Sequence, residues 1–391
     1  MNAGREVVIV DAVRTPIGRG HPEKGVFRDL HPTDLLGATY TALMERSGID
    51  PTVVEYVISG CVQQFGPQSM NVARNAWLQE GLPVETSAST IDLQCGSAQQ
   101  AVSVATALIA SGIHDVAVGS GVEHMGRNSF AAAEEIYERY GSPFTEKFYD
   151  QHDVRGQGIG AELIAEKWEV PRSELDQLAL DSHRKAARAT ESSRFAREIV
   201  PIETADGLVA EDQGIRPDTT LEALANLKPV FKEDGVITAG TSSQISDGAA
   251  AVLLMSREKA DQLGLAPRAR IVDHLSVGCD PVRMLEGPIP ATRKILARNE
   301  LAIGDLGYIE INEAFASVIA AWRRELGPEM DSVNPRGGAM ALGHPLGSTG
   351  ARLVTTLVHE MEDDDKKLGL VTMCCGGGLG TATLISREQE V

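Results

Sequence analysis

The sequence lacks several features that define whole classes of protein. No apolar run approaches the ~18 residues that a membrane-spanning helix needs. Clusters of basic residues for nucleic-acid binding are also missing, since 36 Lys and Arg stand against 55 Asp and Glu, for a formal net charge of -19. We therefore expect a soluble protein with no nucleic-acid and no membrane partner.

Secretion and metal-binding signals are missing as well. Residues 1–6 read Met-Asn-Ala-Gly-Arg-Glu and run at once into a strand-like segment, which leaves no room for a signal peptide. The five cysteines form no C-x-x-C pair and are not spaced as zinc ligands. We expect a cytoplasmic protein with reduced thiols and no metal site.

What is present is the pattern of an α/β protein. With 391 residues the chain is long enough for two domains. Residues 7–119 alternate strand-like and helix-like segments, and residues 268–391 repeat that order. Between them lie amphipathic helix-like segments at 161–168 and 172–189. The pattern predicts an N-terminal half at 1–124 and 246–266, an inserted loop subdomain at 125–245, and a C-terminal half at 267–391.

Cys95 lies where a strand-like segment gives way to a helix-like segment that runs to Ser111. A thiol at the N-terminus of a helix is close to the positive end of the helix dipole, which favours the thiolate. This position makes Cys95 a candidate nucleophile. A lone cysteine can also be an inert core residue, and that alternative stays open on position alone.

His344 lies in the glycine-rich loop 343–350, Gly-His-Pro-Leu-Gly-Ser-Thr-Gly, which precedes a helix-like segment. Glycine permits tight turns and close approach of a ligand, and a general base must reach its substrate without obstruction. The loop therefore predicts a catalytic histidine. A histidine that only satisfies polar groups of the loop fits the same pattern.

A second glycine-rich turn, Cys-Cys-Gly-Gly-Gly-Leu-Gly at residues 374–380, connects two strand-like segments. Its bare backbone N–H groups could hold an oxyanion. It does not fit a phosphate loop, because no helix and no Lys-Ser or Lys-Thr follows. Residues 156–160, Gly-Gln-Gly-Ile-Gly, open a helix-like segment without a preceding strand, so we expect no dinucleotide site there.

These three segments, with Asn-Glu-Ala-Phe at residues 312–315, resemble the four active-site loops of the thiolase family. The resemblance extends over essentially the whole chain and includes residues 11–18, 246–250 and 287–291. It implies a duplicated five-layer α-β-α-β-α fold, an acyltransferase, and a homodimer or homotetramer.

The resemblance also implies a reaction and residue roles. Thiolases cleave a 3-ketoacyl-CoA with CoA, or condense acetyl-CoA in reverse, through an acyl-cysteine. Cys95 corresponds to that nucleophile, His344 to its activating base, and Cys374 to the acid/base that exchanges the α-proton. Enolate charge is stabilised by His344 and by a water held by Asn312, and charge on the Cys95 adduct by the N–H groups of Cys95 and Gly376.

Positions similar to the family's CoA contacts lie in or near the inserted subdomain. They are Arg216 for the adenine and phosphates, Ser243 for the pantetheine and Met284 beside the tunnel. CoA and acyl-CoA enter as substrates, and no cofactor is implied. Gly156 stands where short-chain biosynthetic members often carry a histidine, and residues 94–100 resemble degradative members, so fatty-acid β-oxidation is the expected context.

Two other functions compete with this interpretation. A decarboxylating ketoacyl synthase has the same fold but needs no α-proton base, and the cysteine in the final glycine-rich turn argues against it. A non-catalytic acyl-CoA or lipid carrier would not need the complete Cys, His, Cys and Asn set. Outside that set, we expect Cys61, Cys279 and Cys375 to pack in the interior, and residues 362–367 to form a solvated loop.

Overall fold

The computed structural model describes residues 4–387, which alternate strands and helices along most of their length. The strands are β1 Val7–Arg14, β2 Gly18–Arg19, β3 Tyr56–Gly60, β4 Ser87–Ile91, β5 Val116–His124, β6 Ile202–Thr204, β7 Gly207–Val209, β8 Ser246–Ser256, β9 Ala269–Gly278, β10 Tyr308–Ile311, β11 Leu368–Cys375 and β12 Leu379–Ser386. The α-helices are α1 Pro32–Ser47, α2 Val72–Gln79, α3 Ser97–Ala110, α4 Phe130–Tyr140, α5 Glu146–Gln151, α6 Gln157–Lys167, α7 Arg172–Glu191, α8 Leu221–Ala225, α9 Arg257–Leu263, α10 Pro288–Arg298, α11 Ala316–Leu326, α12 Ala339–Leu342 and α13 Thr349–Asp363.

Ten of the strands form one hydrogen-bonded sheet in the order β10-β11-β12-β9-β1-β8-β5-β3-β4, with β2 paired to β8. Strands β1, β8, β5, β3 and β4 belong to one half, and β10, β11, β12 and β9 to the other. The halves meet where β1 pairs with β9, and only Val8 with Arg270 and Ile9 with Ala269 are in register there. The sheet therefore consists of two groups of strands that are connected by a short stretch of pairing between β1 and β9.

Helices cover both outer faces and fill the space between the two halves. Helix α1 packs on the first half, α10 packs on β9 and β12 of the second, and α3 and α13 contact strands of both halves as well as each other. Three separate buried cores correspond to these interfaces. The predicted α/β class and five-layer arrangement are confirmed.

The central layer depends on small residues. Helix α3 presents Ala98, Ala101 and Ala105, all completely buried, so that strands can approach it closely. A Cβ at Gly119 of β5 would lie 2.7 Å from the Val102 Cα of α3. Such an approach is possible only for glycine, and it sets the distance between α3 and the first sheet.

The segment between β5 and β8 contains helices α4 to α8 and the β6–β7 hairpin. The sequence missed α4 and α5, and α6 begins at Gln157 instead of residue 161. The expected loop at 362–367 is wrong at its start, because α13 continues to Asp363. Glu362 pairs with Arg268 and Asp363 with Arg336, so the acidic run is held by arginines of neighbouring segments.

Candidate active site

Cys95 lies at the end of the turn that joins β4 to α3. Ser97 holds this turn, since its hydroxyl accepts from the Leu93 N–H at 2.9 Å and donates to the Gln94 carbonyl at 2.5 Å. Gln94 has a φ of 53°, so the backbone bends sharply just before the thiol. Cys95 is 1% exposed and points into the interior, not into solvent.

The Cys95 thiol is protonated at rest. Burial raises its pKa to about 12, and hydrogen bonds from the N–H groups of Gly376 and of Cys95 itself lower it only in part. Lost hydration therefore opposes the effect of the α3 dipole, and burial favours the protonated thiol over the thiolate expected from the sequence.

His344 is held as a neutral base. The Thr349 hydroxyl donates to the Pro345 carbonyl at 2.8 Å, so the imidazole Nδ1 donates to Thr349 Oγ1 at 2.6 Å. This tautomer leaves a lone pair on Nε2, which lies 3.3 Å from the Asn312 amide nitrogen. Burial, with the charge of Arg352, lowers the pKa of His344 to about 3.

Asn312 follows β10 and is completely buried. Its backbone N–H donates to the Thr372 carbonyl of β11 at 3.1 Å. The adjacent Glu313 accepts from the Ser182 hydroxyl at 2.6 Å and the Asn334 amide at 2.9 Å, which fixes the end of the strand. The Asn312 side-chain oxygen has no hydrogen-bond partner among residues 4–387, so it is free to bind a ligand.

Strand β11 ends in two adjacent buried thiols, Cys374 and Cys375. Because neighbouring side chains of a strand point to opposite faces, Cys374 packs in the core that contains Phe315, and Cys375 in the central core that contains Cys95. A Cβ at Gly96 would lie 2.7 Å from the Cys375 sulfur. Burial, with a smaller contribution from Cys95, raises the pKa of both thiols well above the usual value.

The turn after these thiols needs glycine. Gly377 and Gly378 have φ values of 78° and 76°, in the left-handed region that other residues rarely adopt. The Gly378 carbonyl accepts from the Cys279 N–H at 2.7 Å, which anchors the turn from outside. The turn places Gly376 beside Gln94 and Gln157, whose side-chain oxygen and nitrogen lie 3.1 and 3.2 Å from the position that its Cβ would occupy.

Gln99 connects the nucleophile helix to this hairpin. Its side-chain oxygen accepts from the Thr381 hydroxyl at 2.6 Å, and its nitrogen donates to the Val371 carbonyl at 3.1 Å and to Thr383 at 2.8 Å. All of these groups are buried. One amide therefore fixes α3 relative to both β11, which carries Cys374, and β12, and so to the turn between them that contains Gly376.

The histidine loop reaches the same helix through glycines. A Cβ at Gly350 would lie 2.2 Å from the Gln99 backbone nitrogen, and one at Gly121 would lie 2.1 Å from the Gly347 carbonyl oxygen. Any larger residue at either position would force the loop away from α3. The glycines thus bring the loop of His344 against the first turn of the Cys95 helix.

Glu123 is a positioning residue that the sequence did not reveal. Its buried carboxylate accepts from the backbone N–H groups of Val62 at 2.9 Å, Gln63 at 3.1 Å and Gly347 at 2.8 Å, and from the Gln68 amide at 2.7 Å. Burial raises its pKa, and these donors oppose the rise. The signal available in the sequence was a carboxylate in an otherwise uncharged strand, Val116–His124.

The predicted CoA contacts lie in three places. Arg216 is exposed, and its backbone N–H donates to the His183 imidazole at 3.2 Å. Ser243 lies beside the Asn312 segment, because its N–H donates to the Ala314 carbonyl at 2.9 Å. Met284 is buried in the same core as Cys374. Ser243 and Met284 therefore adjoin the catalytic candidates, and Arg216 lies at the surface.

No group of three or more His, Cys, Asp or Glu side chains in the described part of the chain is arranged to hold a metal ion. Across residues 4–387, no helix is both long and apolar enough to cross a membrane.

Comparison with known proteins agrees with this arrangement. The family model described as thiolase, N-terminal domain, matches residues 7–258, and that described as thiolase, C-terminal domain, matches residues 265–387. A steroid 3-ketoacyl-CoA thiolase of Mycobacterium tuberculosis is 45% identical over 389 residues, covering 98% of this chain and 94% of the relative. A 3-ketoacyl-CoA thiolase of Idiomarina loihiensis is 43% identical, covering 98% of this chain and 100% of the relative.

The similarity extends to solved structures. The crystal structure of the Bacillus anthracis acetyl-CoA acetyltransferase superposes with a TM-score of 0.90 at 37% sequence identity. The match covers 99% of this chain and 100% of that one. Sequence and structure therefore agree over the whole length, including the inserted segment.

Proposed function

The chain belongs to the thiolase family and is an acyltransferase of that family, and from this premise we propose that it works through Cys95, His344, Cys374, Asn312 and Gly376. The observation that carries the proposal is that the candidate loops meet around the start of α3: the Cys375 sulfur lies against Gly96, and the histidine loop lies against Gln99. His344 Nε2 lies 3.3 Å from the Asn312 amide nitrogen. In the proposed mechanism the N–H groups of Cys95 and Gly376 stabilise the tetrahedral adduct.

In the first half-reaction, the Cys95 sulfur attacks the 3-keto carbon and its proton passes to His344 Nε2. The carbon–carbon bond then breaks, and its electron pair forms the enolate of acetyl-CoA. His344, now protonated on Nε2, and a water held by Asn312 donate hydrogen bonds to the enolate oxygen. Cys374 donates its proton to the enolate carbon, which releases acetyl-CoA and leaves an acyl group on Cys95.

In the second half-reaction, the thiol of free CoA gives its proton to the Cys374 thiolate. The CoA sulfur attacks the acyl carbon, the bond to Cys95 breaks, and the Cys95 sulfur takes back the proton held by His344. Every catalytic group returns to its neutral resting form. That neutrality matches the raised pKa of Cys95 and the lowered pKa of His344.

The acylated residue can be identified directly. Brief exposure to acetoacetyl-CoA should add one acyl group to Cys95, detectable by peptide mass spectrometry. Cys95→Ala should lose this label and all thiolysis, whereas Ser111→Ala, at the exposed far end of α3, should keep both. An active Cys95→Ala variant with its label on another cysteine would contradict the mechanism.

For the physiological direction we propose thiolysis of 3-ketoacyl-CoA. The support is that several relatives at 42–45% identity are 3-ketoacyl-CoA thiolases by name. One of them acts on steroid substrates, which makes bulky acyl groups worth including in a thiolysis panel. Gly156, with no side chain, removes an obstacle that a histidine would place near the thioester.

We further propose the predicted division into two halves and an inserted CoA-binding subdomain at 125–245. Its support is that β8 begins at Ser246 and returns between β1 and β5 of the first half. Within this arrangement, Arg216 holds the adenine and phosphates of CoA, Ser243 the pantetheine, and Met284 the side of the tunnel. CoA and acyl-CoA are then substrates, and no separate cofactor takes part.

We also propose a homo-oligomer in the cytoplasm, with the free edge of β4 as the contact between copies. Strand β4 pairs with β3 on one side only. Exposed apolar side chains surround it, namely Met70, Leu78 and Val84. An uncovered edge strand beside apolar surface is the usual template for pairing with another chain.

A further inference from the structure

Gln157 lies beside the catalytic glycine turn although the two are far apart in the chain. It is the first residue of α6 and is half-buried. Its side-chain nitrogen Nε2 is 3.2 Å from the position that a Cβ on Gly376 would occupy. The amide therefore borders the space directly above the backbone that donates to Cys95.

The amide of Gln157 has no assigned role within the protein. Among residues 4–387 its side chain makes no hydrogen bond. Gln94 differs in this respect: its side-chain oxygen lies 3.1 Å from the same Cβ position, and its side-chain nitrogen donates to Asp92 at 3.2 Å. Neither polar atom of this half-buried amide belongs to the buried atoms that lack a partner, so water can satisfy the amide in the free protein. A ligand oxygen can replace that water.

The position of Gln157 is fixed by its neighbours. Gly156 has a φ of 86°, which only glycine adopts readily, and it directs the chain into α6. At Gly158 a Cβ would lie 2.1 Å from the Phe231 ring, so α6 packs closely on Phe231. Phe231 in turn packs edge-on against Phe315, three residues after Asn312, at 5.9 Å between ring centres. The first turn of α6 is thus part of the wall shared with Asn312.

We propose that Gln157 is a substrate-contacting residue, whose side-chain amide donates a hydrogen bond to the oxygen of the acyl group carried by Cys95. That oxygen must lie within reach of the Gly376 N–H, and Gln157 Nε2 lies over the same glycine. Gln157 would then be a third donor, after the N–H groups of Cys95 and Gly376. This inference rests on the proposed function, because it assumes an acyl group on Cys95.

The test compares two substitutions of different character. Gln157→Met keeps the length and volume of the side chain but removes the donor, and Gln157→Ala removes both. We expect both to lower kcat/KM for thiolysis of acetoacetyl-CoA by about tenfold or more, as loss of one oxyanion donor does. The KM for CoA should stay unchanged. Gln177→Met, at an amide that bonds only Asp181 on α7, is the matched control.

The possible outcomes separate the two proposals. If the wild-type protein shows no thiolysis and no acylation of Cys95, the proposed function fails. If the wild-type protein is active and Gln157→Met keeps the wild-type kcat/KM, the inference is wrong. A loss of kcat/KM in Gln157→Ala alone would then show that the side chain merely fills space. Thermal unfolding of each variant shows whether a loss of activity comes from a destabilised fold. For a destabilised variant, the burst of Cys95 acylation is measured on the protein that remains folded. A burst of normal size would then overturn the inference.

Discussion

Cys95 and His344 form a pair of uncharged groups at rest. Burial raises the pKa of the thiol to about 12, and burial together with Arg352 lowers that of the imidazole to about 3. Charge separation therefore occurs only when the sulfur attacks, and the oxyanion donors then compensate it. A buried neutral thiol is also protected from adventitious oxidation, since the thiolate is the reactive form.

The adjacent thiols of β11 should differ sharply in function. Cys374→Ala should nearly abolish thiolysis and condensation but still allow some acylation of Cys95, because acylation depends more directly on His344. Cys375→Val should keep most activity and cost at most about 1–2 kcal/mol of stability from altered packing. Steady-state thiolysis, acyl labelling and chemical unfolding of both variants measure these effects.

The reverse pattern would show that Cys375 carries the proton transfer. This comparison is informative because the Cys375 sulfur lies next to Gly96, immediately after the nucleophile. The sequence predicted a buried Cys375, and the structure agrees. The contact with Gly96 could not be predicted, because it depends on how the hairpin of β11 and β12 packs against α3.

At the scale of elements, separate loops are held in place by single buried polar side chains. Gln99 connects α3 to the β11–β12 hairpin. Glu123 connects β5 to the histidine loop and to the segment after β3. The buried backbone N–H groups of these loops have no carbonyl partner in a strand or helix, and the carboxylate of Glu123 accepts their hydrogen bonds instead.

Glu123→Gln should weaken both the fold and the activity. The substitution puts an N–H2 donor where backbone N–H groups point, so at least one buried donor loses its acceptor. We expect a loss of about 1–3 kcal/mol in the free energy of unfolding and a lower kcat, because the loop carrying His344 shifts. Glu134→Gln, on the exposed face of α4, is the control. Equal stability and kcat in the Glu123 variant would contradict this role.

The sequence predicted the succession of elements better than their limits. Alternating strand-like and helix-like segments correctly indicated the α/β class, because each pattern repeats with its own period. Helix α13 continues to Asp363, beyond its predicted end, because Arg197 and Arg336 bind that carboxylate from distant segments. Helices α4 and α5 were missed altogether, and they pack little against the rest of the chain, since Ala133 is the one buried residue in the two helices.

At the scale of the whole molecule, a buried group of charges controls how stability varies with pH. Glu310 and Glu360 lie with Arg336 and Arg352. Burial raises the pKa of Glu310 to about 8, and burial together with Glu310 raises that of Glu360 well above its usual value. Neither oxygen of Glu360 has a hydrogen-bond partner among the described residues, which fits a protonated carboxyl.

The sign of the effect follows from the raised pKa values. In the unfolded chain a glutamate ionises near pH ~4.3, so above that pH the folded state must retain protons that the unfolded state releases. The stabilising contribution is therefore complete below pH ~4.3 and is lost as pH rises through the folded pKa, by at most ~1.4 kcal/mol per pH unit for each proton.

Glu360→Gln should remove one such dependence, because the amide resembles the protonated acid and does not titrate. The free energy of unfolding of the variant should exceed that of the wild type by a margin that grows from pH 5 to pH 8. Denaturant unfolding at several pH values measures it, with Glu222→Gln on the surface helix α8 as control. A margin that stays constant with pH would show that Glu360 is ionised in the folded state.

Most candidate site residues could be chosen from the sequence, because they lie in glycine-rich turns that resemble thiolase loops, and their roles stay predictions. The sequence could not predict the raised pKa of Cys95, because the position of a cysteine before a helix does not reveal how deeply its thiol is buried. Gln157 was missed for a related reason, because only the folded chain brings α6 to the turn at Gly376.

The order in which the ribosome makes the active site has a consequence for synthesis. Cys95 emerges early, whereas its proposed oxyanion donor Gly376 lies in the turn between the last two strands, β11 and β12. Thr381, which anchors Gln99, belongs to β12. Because N-terminal segments fold first during translation, a growing chain contains the nucleophile without its oxyanion donor. Nascent or C-terminally truncated chains should therefore be unable to consume cellular acyl-CoA, and catalysis begins only when the final hairpin has docked.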